Sequence, residues 1–286
     1  MKKKARIKSV CQSRQNTEIS KIVNDMTLFD DDLMSKVFDK NIEDAELLLN
    51  IILERSDIRV ISVKGQEEFR NPYPKGRNIR LDIHAIDGNG TEFDVEVQRN
   101  PKGSHIRRAR FHSSMMDTRM LKEKQEFKEI KDTYIIFICQ HDMFKQNKPI
   151  YHIDRIIRET GDLYDDGVHI IYVNGNYLGD DDIGKLVHDF NCKKSNEMHY
   201  KVLADGVKHF KETEKGSGIM CESVERYAKK YAKKESQKSV EISRINTLAQ
   251  SVKMLMKNTS VSLDQAFNNL GIAEVDRTAI TKQLQK

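Results

Sequence analysis

Apolar and polar residues alternate through most of residues 77–99, and a turn sequence interrupts the alternation near the middle. Alternation of this kind predicts extended strands with one apolar and one polar face. The sequence Asp-Gly-Asn-Gly at residues 87–90 is typical of a tight turn between two strands. The stretch therefore predicts a β-hairpin. The polar face of the hairpin carries Arg80, Asp82 and His84 on the first strand and Glu92, Asp94, Glu96 and Gln98 on the second.

The length of the turn decides which polar residues lie opposite each other. A three-residue loop with Gly90 in the left-handed conformation pairs Asp87 with Thr91 and places Asp82 opposite Glu96. A two-residue loop would place the two carboxylates on opposite faces. In the first register their Cβ atoms lie about 5 Å apart, and carboxylates that close repel unless a cation separates them. Oxygen ligands favour Mg²⁺, with Mn²⁺ as a substitute. The alternative is an edge hairpin with a solvated acidic face.

Strand and helix patterns are mixed along the rest of the chain. Acidic residues at 30–32 precede an amphipathic segment and predict a helix, and Asn41 is expected to cap a second one. Residues 133–139 are almost continuously apolar, which predicts a strand buried on both faces. This mixture predicts an α/β or mixed α+β fold. Further strands are expected over residues 58–63, 150–157 and 169–173, with a helix from Ser104 to about Leu121 and helical spacing from Asp181 onward.

Changes of composition suggest three parts. Residues 1–26 are expected to form a loose basic arm, residues 27–215 the main domain, and residues 216–286 a helical C-terminal extension, with the boundary at Lys215-Gly216-Ser217-Gly218. The charged helix beyond Val224 either projects from the core or pairs with another chain, and the second alternative would give a homodimer through the C-terminal helices. Ser262 and Gln265 form a capping box that opens a short helix near the end.

Composition limits the class of protein. The 286 residues include 49 Lys and Arg against 44 Asp and Glu, for a net charge of +5, which permits a nucleic-acid partner without requiring one. The four cysteines have no paired spacing and predict neither a zinc site nor disulfides, so a reducing compartment is expected. The longest apolar runs, at residues 47–53 and 134–139, are too short to span a bilayer. A cytoplasmic protein without a membrane partner is expected.

The predicted helix after Ser104 has a strongly basic face. Next to an acidic metal site, such a face would contact a phosphate backbone; the alternative is a solvated basic surface. The residues that we expect to bind DNA are Arg107, Arg108, Arg110 and His112.

Asp82 and the sequence Glu96-Val97-Gln98 resemble the PD-(D/E)XK nuclease motif in the form in which glutamine replaces the lysine. With its neighbours, the motif resembles the recombination-promoting nuclease and transposase family of that superfamily, over about residues 27–235. The stretches that carry the resemblance are residues 46–49, 57–60, 80–83, 96–99, 108–117, 134–139, 150–152, 169–175 and 220–221.

The resemblance implies a restriction-endonuclease-like core, in which a central mixed sheet is flanked by helices, and metal-dependent DNA cleavage. It assigns Asp82 and Glu96 as the metal-binding carboxylates, Gln98 to the position of the lysine, and the main-chain carbonyl of Val97 as a further ligand. Glu46, in the second predicted helix, is a candidate for an additional ligand. The chain departs from the family at Phe111, where a tyrosine is expected, and at residues 124–127, which replace a Gly-x-x-Tyr turn.

These observations favour a Mg²⁺-dependent DNA endonuclease that acts as a transposase or recombination-promoting nuclease. The catalytic residues would be Asp82, Glu96 and Gln98. Because glutamine carries no charge, Arg108 or Arg110 would supply the missing cation. Two alternatives are a DNA-binding protein that has lost catalysis and an oligomeric partner-binding module.

Overall fold

The structure, a computed structural model, describes residues 18–285, apart from the side chains of residues 227 and 230–235. Its strands are β1 (Val60–Phe69), β2 (Ile79–Asp87), β3 (Glu92–Gln98), β4 (Thr133–Cys139), β5 (Ile150–Ile153) and β6 (Val168–Asn174). Its helices are α1 (residues 18–25), α2 (Asp31–Phe38), α3 (Ile42–Ile52), α4 (Ile106–Met120), α5 (Asp182–Asn191), α6 (Lys201–Glu212), α7 (Glu214–Thr259), α8 (Leu263–Asn269) and α9 (Glu274–Leu284).

The predicted hairpin is formed by β2 and β3 in the predicted register. His84 pairs with Asp94, and the Asp87 N–H donates to the Thr91 carbonyl at 3.1 Å. Gly90 has φ +85°, the left-handed conformation that a three-residue loop requires. The polar residues of β2 and β3 therefore face each other as expected from the turn sequence.

The six strands form one mixed sheet in the order β1-β2-β3-β4-β6-β5. The pairs β1–β2 and β2–β3 are antiparallel, the pairs β3–β4 and β4–β6 are parallel, and β5 pairs antiparallel with β6 at the edge. Helix α4 connects β3 to β4. The carboxyl ends of parallel strands meet at one edge of a sheet, and ligands bind at this edge in sheets of this kind. The end of β3 lies there.

Both faces of the sheet are covered, which confirms the predicted mixed α/β class. Helices α2, α3, α5 and α6 pack on one face, and α4 packs on the other. Strand β4 is buried on both faces, as its apolar run predicts. The inward side of α4 is unusual because it includes the polar residues His112 and Ser113 beside Met115 and Met116. A buried polar side chain requires a partner, so this helix indicates where the chemistry lies.

Four local predictions are wrong. Residues 18–25 of the expected loose arm are helical, because Val23 is buried in the core; residues 1–17 lie outside the described residues. Ser104 belongs to a 3₁₀ turn, and His105 caps α4 instead, its Nδ1 accepting from the Arg107 N–H. The predicted strand over residues 150–157 ends at Ile153.

The fourth concerns the boundary expected at residues 215–218, which lie inside α7. A Cβ on Gly216 would come within 2.0 Å of the His209 carbonyl oxygen, so glycine here permits close contact between α6 and α7. The chain divides into two compact units, Met1–Val224 and Glu225–Lys286.

The second unit has a small core of its own. Ser262 and Gln265 form the predicted capping box of α8, and Gly271, at φ +63°, ends that helix. Arg244 makes a bidentate ion pair with Asp276. The core of this unit consists of Ala249, Val252, Ala266, Phe267, Ile272 and Ile280.

None of the helices in the described residues combines the length and the apolar character that a membrane-spanning segment requires.

Replacement of Gly90 tests the turn. Gly90→Ala should lower the free energy of unfolding by about 1–2 kcal/mol, because an L-residue is strained in the left-handed conformation. Gly88→Ala is the matched control, since Gly88 has an ordinary φ and open space around its Cα. Urea denaturation of both variants measures the difference. Equal effects at the two positions would contradict the turn conformation.

Asp44 is a fully buried acid at the start of α3, away from the hairpin. Its Oδ1 has no hydrogen-bond partner among the described residues, and its Oδ2 accepts from the side-chain amide of Asn41. Burial, and then the charge of Glu43, raises the pKa of Asp44 to about 7. The folded state thus holds this proton more tightly than the unfolded chain.

The pH dependence of stability should reflect this acid. Since the folded-state pKa lies above the unfolded value of 3.8, stability falls as the pH rises through the interval between the two. Asp44→Asn should reduce the loss of stability between pH 5 and pH 8, by at most about 3 kcal/mol. Urea denaturation of wild type and variant at both pH values measures this. An unchanged pH dependence in the variant would exclude Asp44 as its source.

Candidate functional site

The backbone pairing of β2 and β3 ends at Ile83 and Val95, just before the two predicted acids. Beyond this point the strands are joined through side chains. The Val97 N–H donates to Asp82 Oδ2 at 3.2 Å, and the Asp82 N–H donates to Glu96 Oε1 at 3.3 Å. Asp82 and Glu96 are therefore brought together, as the hairpin register predicts, and each carboxylate satisfies a backbone group of the opposite strand.

Burial makes this acidic group electrostatically costly. Glu96 and Asp94 are fully buried, and Asp82 is 5% exposed. Burial is the largest cause that raises the pKa of Asp82 to about 6 and of Asp94 to about 8, and it raises the pKa of Glu96 well above its usual range. The mutual repulsion of the three acids acts in the same direction. At neutral pH the group thus requires protons or cations to compensate its charge.

His112 links this acidic group to α4. Its Nδ1 lies 2.7 Å from Asp94 Oδ2, and its Nε2 accepts from the Arg108 Nε at 3.2 Å. The ring is therefore neutral and carries its proton on Nδ1. Burial lowers the pKa of His112, consistent with a neutral ring. This corrects the expectation that His112 faces DNA: only 2% of the residue is exposed, and both ring nitrogens are engaged inside the protein.

Arg108 is the cation of the site. Its guanidinium forms an ion pair with Glu96 Oε2 and donates to the Gly103 carbonyl at 2.9 Å. The Arg108 side chain is 31% exposed, so it reaches from the buried acid to the solvent. Of the two arginines considered for the missing lysine charge, Arg108 is the one that contacts Glu96. An arginine in this position supplies a permanent positive charge with several donors.

Gln98 lies beside Glu96, and the end of β3 is shaped around it. Its Nε2 donates to Glu96 Oε2 at 3.1 Å, and a Cβ on Gly103 would come within 1.9 Å of its Oε1. Glycine at position 103 therefore provides the space that the Gln98 amide occupies. The Gln98 carbonyl accepts from the backbone N–H of Gln140, the residue that follows β4. Since successive carbonyls of a strand alternate in direction, the Val97 carbonyl is directed toward the side of Asp82.

The further acid that lines the cleft with Asp82 is Asp31 of α2, whereas the sequence suggested Glu46 of α3. Glu46 Oε1 accepts from the Val60 N–H at 2.9 Å, and Glu46 does not line the cleft that contains Asp82. Asp31, in the first turn of α2, lines that cleft, and its charge contributes to the raised pKa of Asp82. From the sequence, Asp31 is expected only to open a helix. The only local feature that distinguishes Asp31 in the sequence is its position at a predicted helix N-terminus, which does not indicate a place in the cleft.

The cleft at the end of β3 encloses about 1280 Å³ and is predominantly basic. Arg99 is paired with Asp30, and Arg108 with Glu96. The remaining arginines make no ion pair with any acid in the described part of the chain. Phe111, at the position where a tyrosine was expected, also lines the cleft. The basic residues of the lining are Arg77, Arg80, Arg99, Lys102, Arg107, Arg108 and Arg110.

The donor set fits a metal ion. Ligand atoms of Asp94, Glu96 and His112 all lie within 4.8 Å of one another. Both ring nitrogens of His112 are hydrogen-bonded, so the carboxylates are the available donors, and Asp94 Oδ1 is buried without a hydrogen-bond partner among the described residues. Carboxylates that repel one another and contain such an unpartnered oxygen are typical of cation sites. Asp82 adjoins this group through Glu96.

Loss of the Arg108 charge should destabilise the protein. Arg108→Met leaves the carboxylate of Glu96 buried and unpaired, which we expect to lower the free energy of unfolding by about 3 kcal/mol at pH 8. The loss should be smaller at pH 6, because burial raises the pKa of Glu96 and a lower pH favours its uncharged form. Denaturation at both pH values measures the effect, and Arg107→Met, at an exposed neighbour without an ion pair to any described acid, is the control. Equal stability of the two variants would contradict the proposed compensation.

Comparison with known proteins places this site in a family. The model of the PD-(D/E)XK nuclease family transposase matches residues 32–180, just over half of the chain. The match includes α2, the hairpin, α4 and the parallel strands, and it is narrower than the region from 27 to 235 predicted from the sequence. Comparison with curated proteins gives no match, and comparison with solved structures gives none either. The sequence motif and the mixed sheet agree with this result, and the chain belongs to the PD-(D/E)XK nuclease family transposases.

Proposed function

We propose that the protein is a metal-dependent DNA endonuclease that hydrolyses phosphodiester bonds in transposition or recombination. The observation that carries the proposal is the meeting of Asp82 and Glu96 where β2 and β3 separate, beside a cleft lined by basic side chains. Family membership supports a nuclease. The acids supply a site for a cation, and the basic lining supplies a site for a phosphate backbone.

Asp82, Glu96 and the Val97 carbonyl would hold Mg²⁺, with Mn²⁺ as a substitute, because oxygen ligands suit both ions. A divalent ion in this site polarises a phosphoryl oxygen and lowers the pKa of a bound water. Asp31 lines the same cleft as a further carboxylate. Burial, and then the charge of neighbouring carboxylates, raises the pKa of Asp82 and Glu96, and a nearby cation would favour their charged forms.

Arg108 and Gln98 take the roles that the motif lysine has in other members. Gln98 orients a water or a phosphate oxygen by hydrogen bonds, because its amide has donors and an acceptor but no charge. Arg108 supplies the positive charge beside the scissile phosphate. We assign His112 and Asp94 as positioning residues, since His112 holds the Arg108 Nε and Asp94 fixes the ring of His112.

DNA would lie along the basic lining of the cleft. Arg107 and Arg110 extend from the exposed side of α4, and Arg77 and Arg80 come from the chain that leads into β2 and from its first residues. These four side chains have no acidic partner among the described residues, so their charge is available to phosphates. Contacts of this kind fix the position of a duplex and are weakened by salt.

Cleavage of supercoiled plasmid DNA tests the proposal. The wild-type protein should nick or linearise the plasmid with Mg²⁺ and not with EDTA. Asp82→Asn and Glu96→Gln should each slow cleavage by at least roughly 100-fold while the protein still retains DNA at low salt. Glu123→Gln, at an exposed acid outside the cleft, should cleave like the wild type.

Three results would count against cleavage by this site, each for a different reason. Equal nicking by Asp82→Asn would mean that a contaminating nuclease produced the signal. Salt-sensitive DNA retention without cleavage in either Mg²⁺ or Mn²⁺ would favour a DNA-binding protein that has lost catalysis. The motive for this alternative is Gln98, which replaces the lysine of the motif. A stable oligomer without affinity for DNA would favour the partner-binding module.

Three predictions from the sequence accompany the proposal. They are a nuclease-like main part with a helical C-terminal extension, a homodimer formed through the C-terminal helices, and a cytoplasmic location. The first is supported by the separate core of residues 225–286.

A further inference from the structure

A second group of metal-binding side chains lies at the end of α5 and does not line the basic cleft. His188 and Cys192 are four residues apart, so the last turn of the helix presents them on the same side. Asp189 lies between them and is fully buried, whereas Cys192 is 8% exposed and the imidazole of His188 is half exposed. The group therefore combines a thiol, an imidazole and a carboxylate at the boundary between core and solvent.

Two of the three distances between the ligand atoms are those of a tetrahedral metal site. Cys192 Sγ lies 3.5 Å from His188 Nδ1, and His188 Nδ1 lies 3.2 Å from Asp189 Oδ1. Tetrahedral zinc, with bonds of about 2.3 Å to sulfur and about 2.0 Å to nitrogen or oxygen, separates its ligand atoms by about 3.5 Å and about 3.3 Å respectively. All three atoms lie within 4.8 Å of one another. Little movement is therefore needed to place an ion between them.

A fourth ligand is at hand. The ring of His199 lies with its centroid 4.6 Å from that of His188, and both rings are accessible to solvent. The backbone N–H of His199 donates to Asp189 Oδ1 at 2.7 Å, which keeps His199 next to the group. Because the imidazole of His199 is exposed, rotation about its side-chain bonds can reorient its ring nitrogens without changing the backbone.

We propose that Cys192, His188, Asp189 and His199 form a structural site for zinc or a similar divalent transition metal. Thiolate and imidazole ligands select such ions over Mg²⁺, which prefers oxygen. The ion would bind the end of α5 to the segment that leads into α6, while the thiol of Cys192 loses its proton on binding. No local pattern predicts this site, because the cysteine has no paired cysteine and the fourth ligand lies beyond a 3₁₀ turn, Ser195–Glu197.

Two other interpretations fit this group less well. One is a nucleophilic thiol, and the other is a structural cluster held together by hydrogen bonds alone. Cys192 is unsuited as a nucleophile, because only 8% of the residue is exposed and a substrate has little access to its thiol. Hydrogen bonding accounts for Asp189, which also accepts from the Tyr200 N–H at 2.8 Å. It accounts less well for Cys192 Sγ, whose contacts are long: 3.8 Å to the Glu197 carbonyl oxygen, which accepts from it, and 3.5 and 3.7 Å to the two ring nitrogens of His188.

Titration of the full chain with Co²⁺ tests the site. With protein freed of metal by a chelator under reducing conditions, the thiolate-to-cobalt charge-transfer band of a sulfur ligand should appear and reach saturation at one equivalent; an ion in the acidic cleft gives no such band. Zn²⁺ should displace the cobalt and raise the thermal midpoint. Cys192→Ser should abolish the band, and His188→Asn should weaken binding by at least about 10-fold. Cys221→Ser, at a half-buried cysteine elsewhere, and Asp82→Asn, in the cleft, should both retain the band.

Any of three results would overturn the proposal. Absence of a charge-transfer band in the wild type would mean that the thiol binds no metal. Persistence of the band in Cys192→Ser, or its loss in Cys221→Ser, would place the sulfur ligand elsewhere. Circular dichroism checks that the variants are folded, and His188→Asn keeps the test valid if Cys192→Ser does not fold, because the His188 ring is half exposed. The result does not depend on nuclease activity, since no residue of the site lines the cleft.

Discussion

The repulsion among buried carboxylates at the end of the hairpin is the constraint on which the site depends. Asp82, Asp94 and Glu96 are almost entirely removed from water, and burial raises the pKa of each. A fold that only needed stability would place apolar residues here. Arg108 pairs with Glu96, and the Nδ1–H of the neutral His112 ring donates to Asp94, which together offset part of the cost of this burial. The remainder of the charge makes a divalent cation favourable in this place.

The rest of the fold holds this group in position. The turn at Gly90 fixes the register of β2 and β3, and the strands separate one residue before the acids, so that Val97 is paired by the Asp82 side chain. Helix α4 crosses from β3 to β4 and carries Arg108 and His112 into the group. The basic face of the same helix lines the cleft. One connection of the chain therefore supplies both the compensating charge and the surface that we propose for DNA.

Local patterns predicted the hairpin, and distant contacts decided what surrounds it. The opposition of Asp82 and Glu96 follows from alternation and from the turn at Gly90, which depend only on nearby residues. The inward position of His112 depends on how α4 packs, and a basic helix gives no local signal for it. Asp31 reaches the cleft only because α2 lies against the sheet. Likewise, the sequence around Gly216 resembles a linker, although Gly216 lies where α6 and α7 are in close contact. Patterns along one element do not contain such contacts between elements.

The central claim is that Asp82 and Glu96 together hold a divalent cation where β2 and β3 separate. Membership of the PD-(D/E)XK nuclease family transposases and the clustered acids both support it. A crystal structure of the protein with Mn²⁺, in which anomalous scattering identifies the ion, tests the claim most directly. The account predicts an ion in contact with carboxylate oxygens of both residues and with the Val97 carbonyl. An ion bound without Asp82, or an empty site at saturating Mn²⁺, would contradict it.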